Sequence, residues 1–423
     1  MPSRACEPLG TSPTTAGVGL GGSHQIGEDV LTNWAGNVTF HASSVHHPRT
    51  LSELRTVVTG AERLRVLGTG HSFNRLADSP GSLVRLDAMP HVLGLDGSGV
   101  RVGGGLRYTD LGPYLHERGL ALANLASLPH ISVAGACATG THGSGVANKS
   151  LAAAVSSLEI MTASGDLVTL DRGSADFDGA VVGLGALGVV VSLTLDVVPS
   201  FAVRQYVLEG LETSCFDQVL DAAYSVSVFT DWRGAGQVWL KLAPGDAVPP
   251  SGWYGTRPAD GQRHPVPGMP GDSCTVQGGV PGPWFERLPH FRPDVTPSAG
   301  DELQSEFLLP RACAADAIRA IATLGEVVSP VLHVSEIRTV AADDLWLSPS
   351  FGRDSLALHF TWIKDAARVM PVIAQVERAL APFDPRPHWG KVYTVNPTGL
   401  ERFWELARRY DPAGVFRPIL PQE

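Results

Sequence analysis

The stretch Leu67-Gly68-Thr69-Gly70-His71-Ser72-Phe73-Asn74-Arg75-Leu76 decides how the rest of the chain is read. A short, largely apolar run, Leu64-Arg65-Val66-Leu67, enters it, so the pattern is a buried strand delivering its chain to a tight glycine-lined turn with His71 at the edge. Two glycines permit φ > 0 and close backbone approach, which lets successive N–H groups converge on a diphosphate. On its own, Gly-x-Gly-His reads first as an ordinary strand-to-helix turn with a surface histidine. The residues around it have to decide.

At 423 residues the chain has room for two or three domains, at roughly 100–200 residues each. Hydrophobic residues make up 43% and charged ones 17%, with 47 Gly and 32 Pro, which describes a loop-rich α+β or α/β protein rather than a coiled coil or a disordered chain. A net charge of −10 leaves no electrostatic footprint for nucleic acid or an anionic membrane. Cys6, Cys137, Cys215, Cys274 and Cys313 are scattered without a Cys-x-x-Cys pair, so neither a zinc site nor a disulfide framework is indicated and a reducing, cytoplasmic setting is expected. Residues 1–27 carry neither a basic start nor an apolar core segment and are expected to be a disordered extension rather than a signal peptide. No run approaches the ~18 apolar residues of a membrane span.

Along the chain, residues 52–61 read as a helix with Ser52 as N-cap, and Val92-Leu93-Gly94-Leu95 and Val100-Arg101-Val102 as a hairpin. Residues 108–118 read as a helix that tolerates Pro113 only as a kink or early break. The second unusual stretch, residues 127–145, is dominated by small and hydroxyl side chains. It can wrap a flat or phosphorylated ligand at close range, and its interspersed Ile131, Val133 and Ala136 do not suit a solvated linker. Gly183-Leu184-Gly185-Ala186-Leu187-Gly188 matches Gly-x-Gly-x-x-Gly, but a β-branched run follows it where a dinucleotide fingerprint needs a helix. An α+β sheet system with glycine turns serving the ligand is therefore preferred to a Rossmann unit. Residues 244–297 are a Pro/Gly-rich stretch whose Trp253, Trp284 and Phe291 favour a packed loop.

Chemistry is carried by three strand-like pieces. Glu336 and Arg338 lie two apart in Ser335-Glu336-Ile337-Arg338-Thr339, His359 and Thr361 two apart in His359-Phe360-Thr361, and Lys391 follows Gly390 in a third piece. One such pair alone is an ordinary surface ion pair. Three similar faces lining one pocket would offer directional hydrogen bonds to a polyhydroxylated, uncharged ligand. There is no His-Glu-x-x-His, no Gly-x-Ser-x-Gly and no Walker loop, and no metal site is expected.

Val66 to Phe73, Ser127 to Gly135 and Thr139 to Gly143 together resemble the flavin-binding module of the vanillyl-alcohol-oxidase type. Glu336-Ile337-Arg338-Thr339-Val340, His359-Phe360-Thr361-Trp362 and His388-Trp389-Gly390-Lys391-Val392 are similar to the cap of its alditol-oxidising members, and the likeness spans about residues 32–415. The resemblance implies an α+β, two-domain FAD-binding fold of the PCMH type with an α+β substrate cap. The expected division is residues 28–200 for FAD, 201–384 for the cap, and 385–423 returning to their interface. It further implies FAD bonded covalently through His71, with Gly68, Thr69, Gly70, Ser72, Phe73, Ser127, Ser132, Gly135, Thr139, Gly140, Thr141, His142, Val189 and Lys391 around the cofactor. Ser127, Glu336, Arg338, His359, Thr361 and Lys391 would contact the polyol, with Arg338, Lys391 and Glu336 nearest the chemistry. The implied reaction oxidises a terminal hydroxyl of xylitol or sorbitol to the aldose while O2 becomes H2O2, in a monomer. An aldonolactone oxidase or a polyol dehydrogenase with another electron acceptor remains the alternative. A non-catalytic flavin- or polyol-binding protein stands last, because His71 occurs together with Glu336, Arg338 and Lys391.

Overall fold

The run ahead of the glycine turn becomes the strand Leu64–Val66, at the edge of a four-stranded sheet in the first domain. A computed structural model describes residues 24–25, 31–97, 99–295 and 300–420. Leu64–Val66 and Ser44–His46 both pair in parallel with Ser82–Val84, while His24–Gln25 pair antiparallel with Val45 and Ser44. Those two residues of the expected disordered extension thus form a short strand. The rest of residues 1–27 lies outside the described residues.

The helix after Ser44–His46 runs Leu51–Thr59, and its N-cap is Thr50, not Ser52: the Thr50 side chain accepts from Glu53 N. The Glu53 carboxylate in turn accepts from Arg49 N, just ahead of the cap, at 2.8 Å, so the Thr50 cap fixes the start two residues earlier than expected. Tyr108–His116 is helical with Pro113 inside it, and Gly119 follows at φ 71.

A second, antiparallel sheet carries five strands in the order Val92–Asp96, Gly99–Gly103, Val189–Asp196, Val155–Met161 and Leu167–Asp171. Gly183 to Gly188 feeds directly into Val189–Asp196, as the sequence pattern required. Apolar residues on this sheet, such as Val100, Val102, Leu158 and Leu193, pack with Leu111 and Leu115 of the Pro113 helix.

The cap is one large antiparallel sheet. Its central strands run in the order Ala202–Leu211, Gly236–Leu242, Ser225–Thr230, Leu332–Val340, Ser355–Ile363 and Glu302–Pro310. The alternation along these strands divides the two faces. Ile337, Leu358, Phe360, Trp362, Phe307 and Leu309 enter a core with Ile318 and Ile321 of helix Ala314–Ala322 and Val369, Ile373 and Val376 of helix Ala366–Leu380. The other face, bearing Glu302, Gln304, Glu306, Glu336, Arg338, His359 and Thr361, looks into the interdomain cleft. The Pro/Gly-rich stretch is laid along the far edge of the sheet and anchored by buried Cys274 and Trp284.

The two domains are tied by backbone bonds: Gly145 N to the Thr339 carbonyl at 2.9 Å and Ala341 N to the Asn148 carbonyl at 2.9 Å. After Arg386–Pro387 extend the cap sheet beside Phe307 and Leu308, the chain recrosses. Helix Glu401–Tyr410 then buries Phe403, Leu406 and Ala407 in the first domain, and Phe416 packs with Leu54, Leu64 and Val84.

Candidate active site

The cleft has a glycine-lined half from the first domain and a polar half from the cap. Gly70 adopts φ 71, where only glycine is unstrained. A Cβ on Gly68 would come within 2.4 Å of Ser132 Oγ, and one on Gly135 within 2.7 Å of the same atom. Ser132 N donates to Thr69 Oγ1 at 3.3 Å, joining the two small-residue stretches. The second of these is not all loop, since Val133–Ala138 form a short helix whose buried Val133, Ala136 and Cys137 account for the interspersed apolar residues.

His71 lies on this half with its ring stacked on Trp34, centroids 5.1 Å apart at 18°. Both of its ring nitrogens are buried without a hydrogen-bond partner. Burial, aided by the neighbouring His130, lowers its pKa to about 4.

On the cap half, register does the positioning. His359 lies directly opposite Glu306 on one neighbouring strand and Glu336 on the other. Arg338 reaches across to Glu306, Nη2 to Oε1 at 2.6 Å, while its Nε stands 3.5 Å from Glu336 Oε2 and its Nη1 donates to Ser127 Oγ at 3.5 Å. Lys391 Nζ donates to Glu306 Oε2 at 2.6 Å and approaches His359 Nδ1 at 2.5 Å. His359 Nε2 meets Thr361 Oγ1 at 3.0 Å. Glu336 Oε1 accepts from His290 Nε2 at 2.7 Å. Behind Glu336, buried Lys241 donates to the Leu288 carbonyl and so holds the segment that carries His290.

The electrostatics follow from burial and pairing. Burial would raise the Glu306 carboxyl, but Lys391, Arg338 and His142 together hold it well below the usual carboxylate range. Glu336 is likewise held low against burial by Arg338 and His290. Arg338 is raised, its burial outweighed by Glu336 and Glu306. Lys391 is lowered by burial and by Arg338, with Glu306 opposing. Burial lowers His290 and His359 to about 4 each, with Lys241 and Lys391 respectively adding to it, so both rings are neutral near pH 7.

Of the expected site residues, Gly68 to Phe73, Ser127, Ser132, Gly135, Thr139, Thr141, His142, Glu336, Arg338, His359, Thr361 and Lys391 all line this one cleft. Two do not. Val189 turns into the core with Leu54 and Met161, because its partner position on the strand gives the cleft to Val190. Gly140 lies behind the lining, where a Cβ would meet Pro349 at 2.9 Å. Lys391 is placed by a turn rather than a strand: His388 N and Val392 N donate to the Glu306 and Gln304 carbonyls, bracing the loop along strand Glu302–Pro310. Glu306 and His290 were not anticipated. The Glu302, Gln304, Glu306 alternation in an otherwise apolar strand is the signal that exposes the first, whereas His290, in a proline-rich loop, has none.

The glycine half fits FAD. It offers backbone that only glycine can present so closely, hydroxyls at Ser132, Thr139 and Thr141, and a buried imidazole with both nitrogens unsatisfied. Residues 42–171 match the family model described as an FAD binding domain, and residues 301–418 that described as D-arabinono-1,4-lactone oxidase. The chain is 53% identical to alditol oxidase of a Streptomyces species, over 91% of this chain and 96% of that one. It is 28% identical to L-gulono-1,4-lactone dehydrogenase of Mycobacterium tuberculosis, over 92% and 97%. Among solved structures, a solvent-stable cholesterol oxidase shares the fold at TM-score 0.74 and 15% identity, covering 93% of this chain and 96% of that one. With a relative of 53% identity across nine-tenths of its length, the chain belongs to the FAD-dependent oxidoreductases of the vanillyl-alcohol-oxidase type, in the alditol oxidase family.

Proposed function

We propose that this enzyme oxidises the terminal primary hydroxyl of an alditol such as xylitol or sorbitol to the aldose, with O2 reduced to H2O2. The observation that carries the reading is the cap wall. Glu336 and Glu306 balance Arg338 and Lys391, two neutral imidazoles accompany them, and all face the glycine loops. Such a wall, with Glu302 beside the pairs, has no excess of cations to match an acidic sugar but many donors and acceptors for an uncharged polyol.

FAD, when bound, supplies the hydride acceptor. The chain must hold the reacting carbon in place and stabilise its hydroxyl as the proton leaves. Arg338 and Lys391 are fixed positive charges for the developing alkoxide, and Glu306 pins both so that neither reorganises during the reaction. With Lys391 donating to His359 Nδ1, the ring proton is on Nε2 and goes to Thr361 Oγ1, which leaves the Thr361 hydroxyl proton for the ligand. Glu336, oriented by His290, accepts from a neighbouring substrate hydroxyl. The neutral His71 ring keeps a nitrogen lone pair available for a covalent bond to the flavin.

The chain is taken to act as a monomer in the cytoplasm on a small polyol and O2. Among the described residues, no helix is long and apolar enough to cross a membrane. A peroxide-release assay separates the substrate classes. kcat/KM for xylitol or sorbitol is expected to exceed that for L-gulono-1,4-lactone at least about tenfold, and the reverse order would make this a lactone enzyme. After acid precipitation the yellow colour should stay with the polypeptide and be released from His71→Ala protein. Colour lost from both alike rules out the His71 bond.

A further inference from the structure

The Gly183 to Gly188 motif has no part in the chemistry above, and the buried cation beside it explains what it does. Arg65, on strand Leu64–Val66, is 4% exposed and lines the cleft. All five of its N–H groups are used, each on a backbone carbonyl. Nε and Nη2 donate to Leu76, Nη2 also to Leu184, and Nη1 to Gly185 and Phe416, at 2.6 to 3.2 Å. Leu184 and Gly185 adopt φ 51 and φ 65, conformations that belong to the turn whose carbonyls meet the guanidinium.

Carbonyl dipoles solvate a guanidinium but do not cancel its charge. Among the described residues Arg65 forms no ion pair, and the neighbouring charge that acts on it most is Arg63, of the same sign. A buried cation without a counter-charge is costly to keep. The acidic residues lining the cleft, Glu302, Glu306 and Glu336, all come from cap strands, and Arg65 is the one Lys or Arg that lines the glycine half. The cleft is therefore divided: three carboxylates against two cations at the cap, an uncompensated positive charge at the glycine loops.

We propose that the Arg65 guanidinium is the fixed counter-charge for the diphosphate of FAD, and that the Gly183 to Gly188 turn serves to solvate that charge in the floor of the cleft. The interaction is electrostatic through the cleft floor, with the N–H groups remaining on their carbonyls. It gives the cofactor's dianion a complement that the glycine backbone alone does not supply.

Arg65→Lys keeps the charge and gives up hydrogen bonds, while Arg65→Gln keeps polarity and gives up the charge. Both are made in the full chain, and flavin per polypeptide is read from the visible absorbance of denatured protein, with near-UV circular dichroism as the measure of fold. A charge role predicts flavin content within about twofold of the parent for the lysine variant and at least about tenfold lower for folded glutamine variant. Full flavin content in Arg65→Gln overturns the proposal, as does equal depletion of both variants, which would make Arg65 a structural clasp. Should Arg65→Gln not fold, the lysine variant decides: folded and flavin-loaded supports the proposal, folded and flavin-free or unfolded overturns it.

Discussion

Glu306 accepts from Arg338 and Lys391 at 2.6 Å each, so neutralising it leaves two buried cations facing one another. Glu306→Gln is expected to lower folding stability by about 3–5 kcal/mol, the usual cost of breaking a buried pair, as read from urea titration. Arg338→Ala and Lys391→Ala should instead slow flavin reduction by about 10²- to 10³-fold, with flavin content unchanged. Equal loss of bound flavin would place those side chains at the cofactor rather than the substrate. At this scale the sequence was informative where chemistry and period coincide: Glu336 with Arg338 and His359 with Thr361 announce a shared face by their spacing alone. It was silent on Glu306 as the hub, because what makes that carboxylate central is the register with His359 across the sheet, a long-range pairing that no local pattern carries. Val189 shows the converse, since a one-residue difference along a strand moves a side chain from cleft to core.

The cap strands divide their labour by alternation, so neighbours in sequence should fail differently. Ile337→Ala removes a fully buried side chain from the core beneath helices Ala314–Ala322 and Ala366–Leu380, and should cost about 2–5 kcal/mol of stability. Thr361→Val, on the opposite face, should leave stability within about 1 kcal/mol and raise KM for the polyol, measured by steady-state kinetics. The strands and the hairpin at residues 92–103 were legible because hydrophobic alternation specifies them. The helix within residues 127–145 was not: small residues mark close approach to a ligand and also pack a short helix, and the composition does not distinguish the two. At helix Leu51–Thr59 the bond from Glu53 N to the Thr50 hydroxyl makes Thr50 rather than Ser52 the cap, so Thr50→Ala should destabilise by about 0.5–2 kcal/mol and Ser52→Ala by less.

For the whole molecule, the cleft closes only because the chain crosses between domains several times. The crossing after Pro387 sets Lys391 against Glu306 and returns Phe416 to the first domain's core. This architecture buries ionisable groups, and acid should find them. In the unfolded chain His290 and His359 take up protons as pH falls below about 6.5, whereas in the folded protein they resist until about 4. Between those values the unfolded state binds more protons, so stability falls with falling pH by about 1.4 kcal/mol per pH unit for each ring. The depressed Glu306 and Glu336 add to the loss at still lower pH. Urea titrations at pH 7 and pH 5 measure the slope, and His359→Gln should remove one ring's share of it. The two-domain organisation and the joining of glycine loops to a polar cap were readable from motif placement, while the charge division of the cleft appears only when the strands are laid side by side. The most direct test of alditol oxidation is anaerobic mixing of the flavin-loaded enzyme with xylitol, followed at the visible flavin absorbance. Rapid bleaching that reverses when O2 is admitted is expected; a band left unchanged by xylitol, sorbitol and other polyols would contradict it.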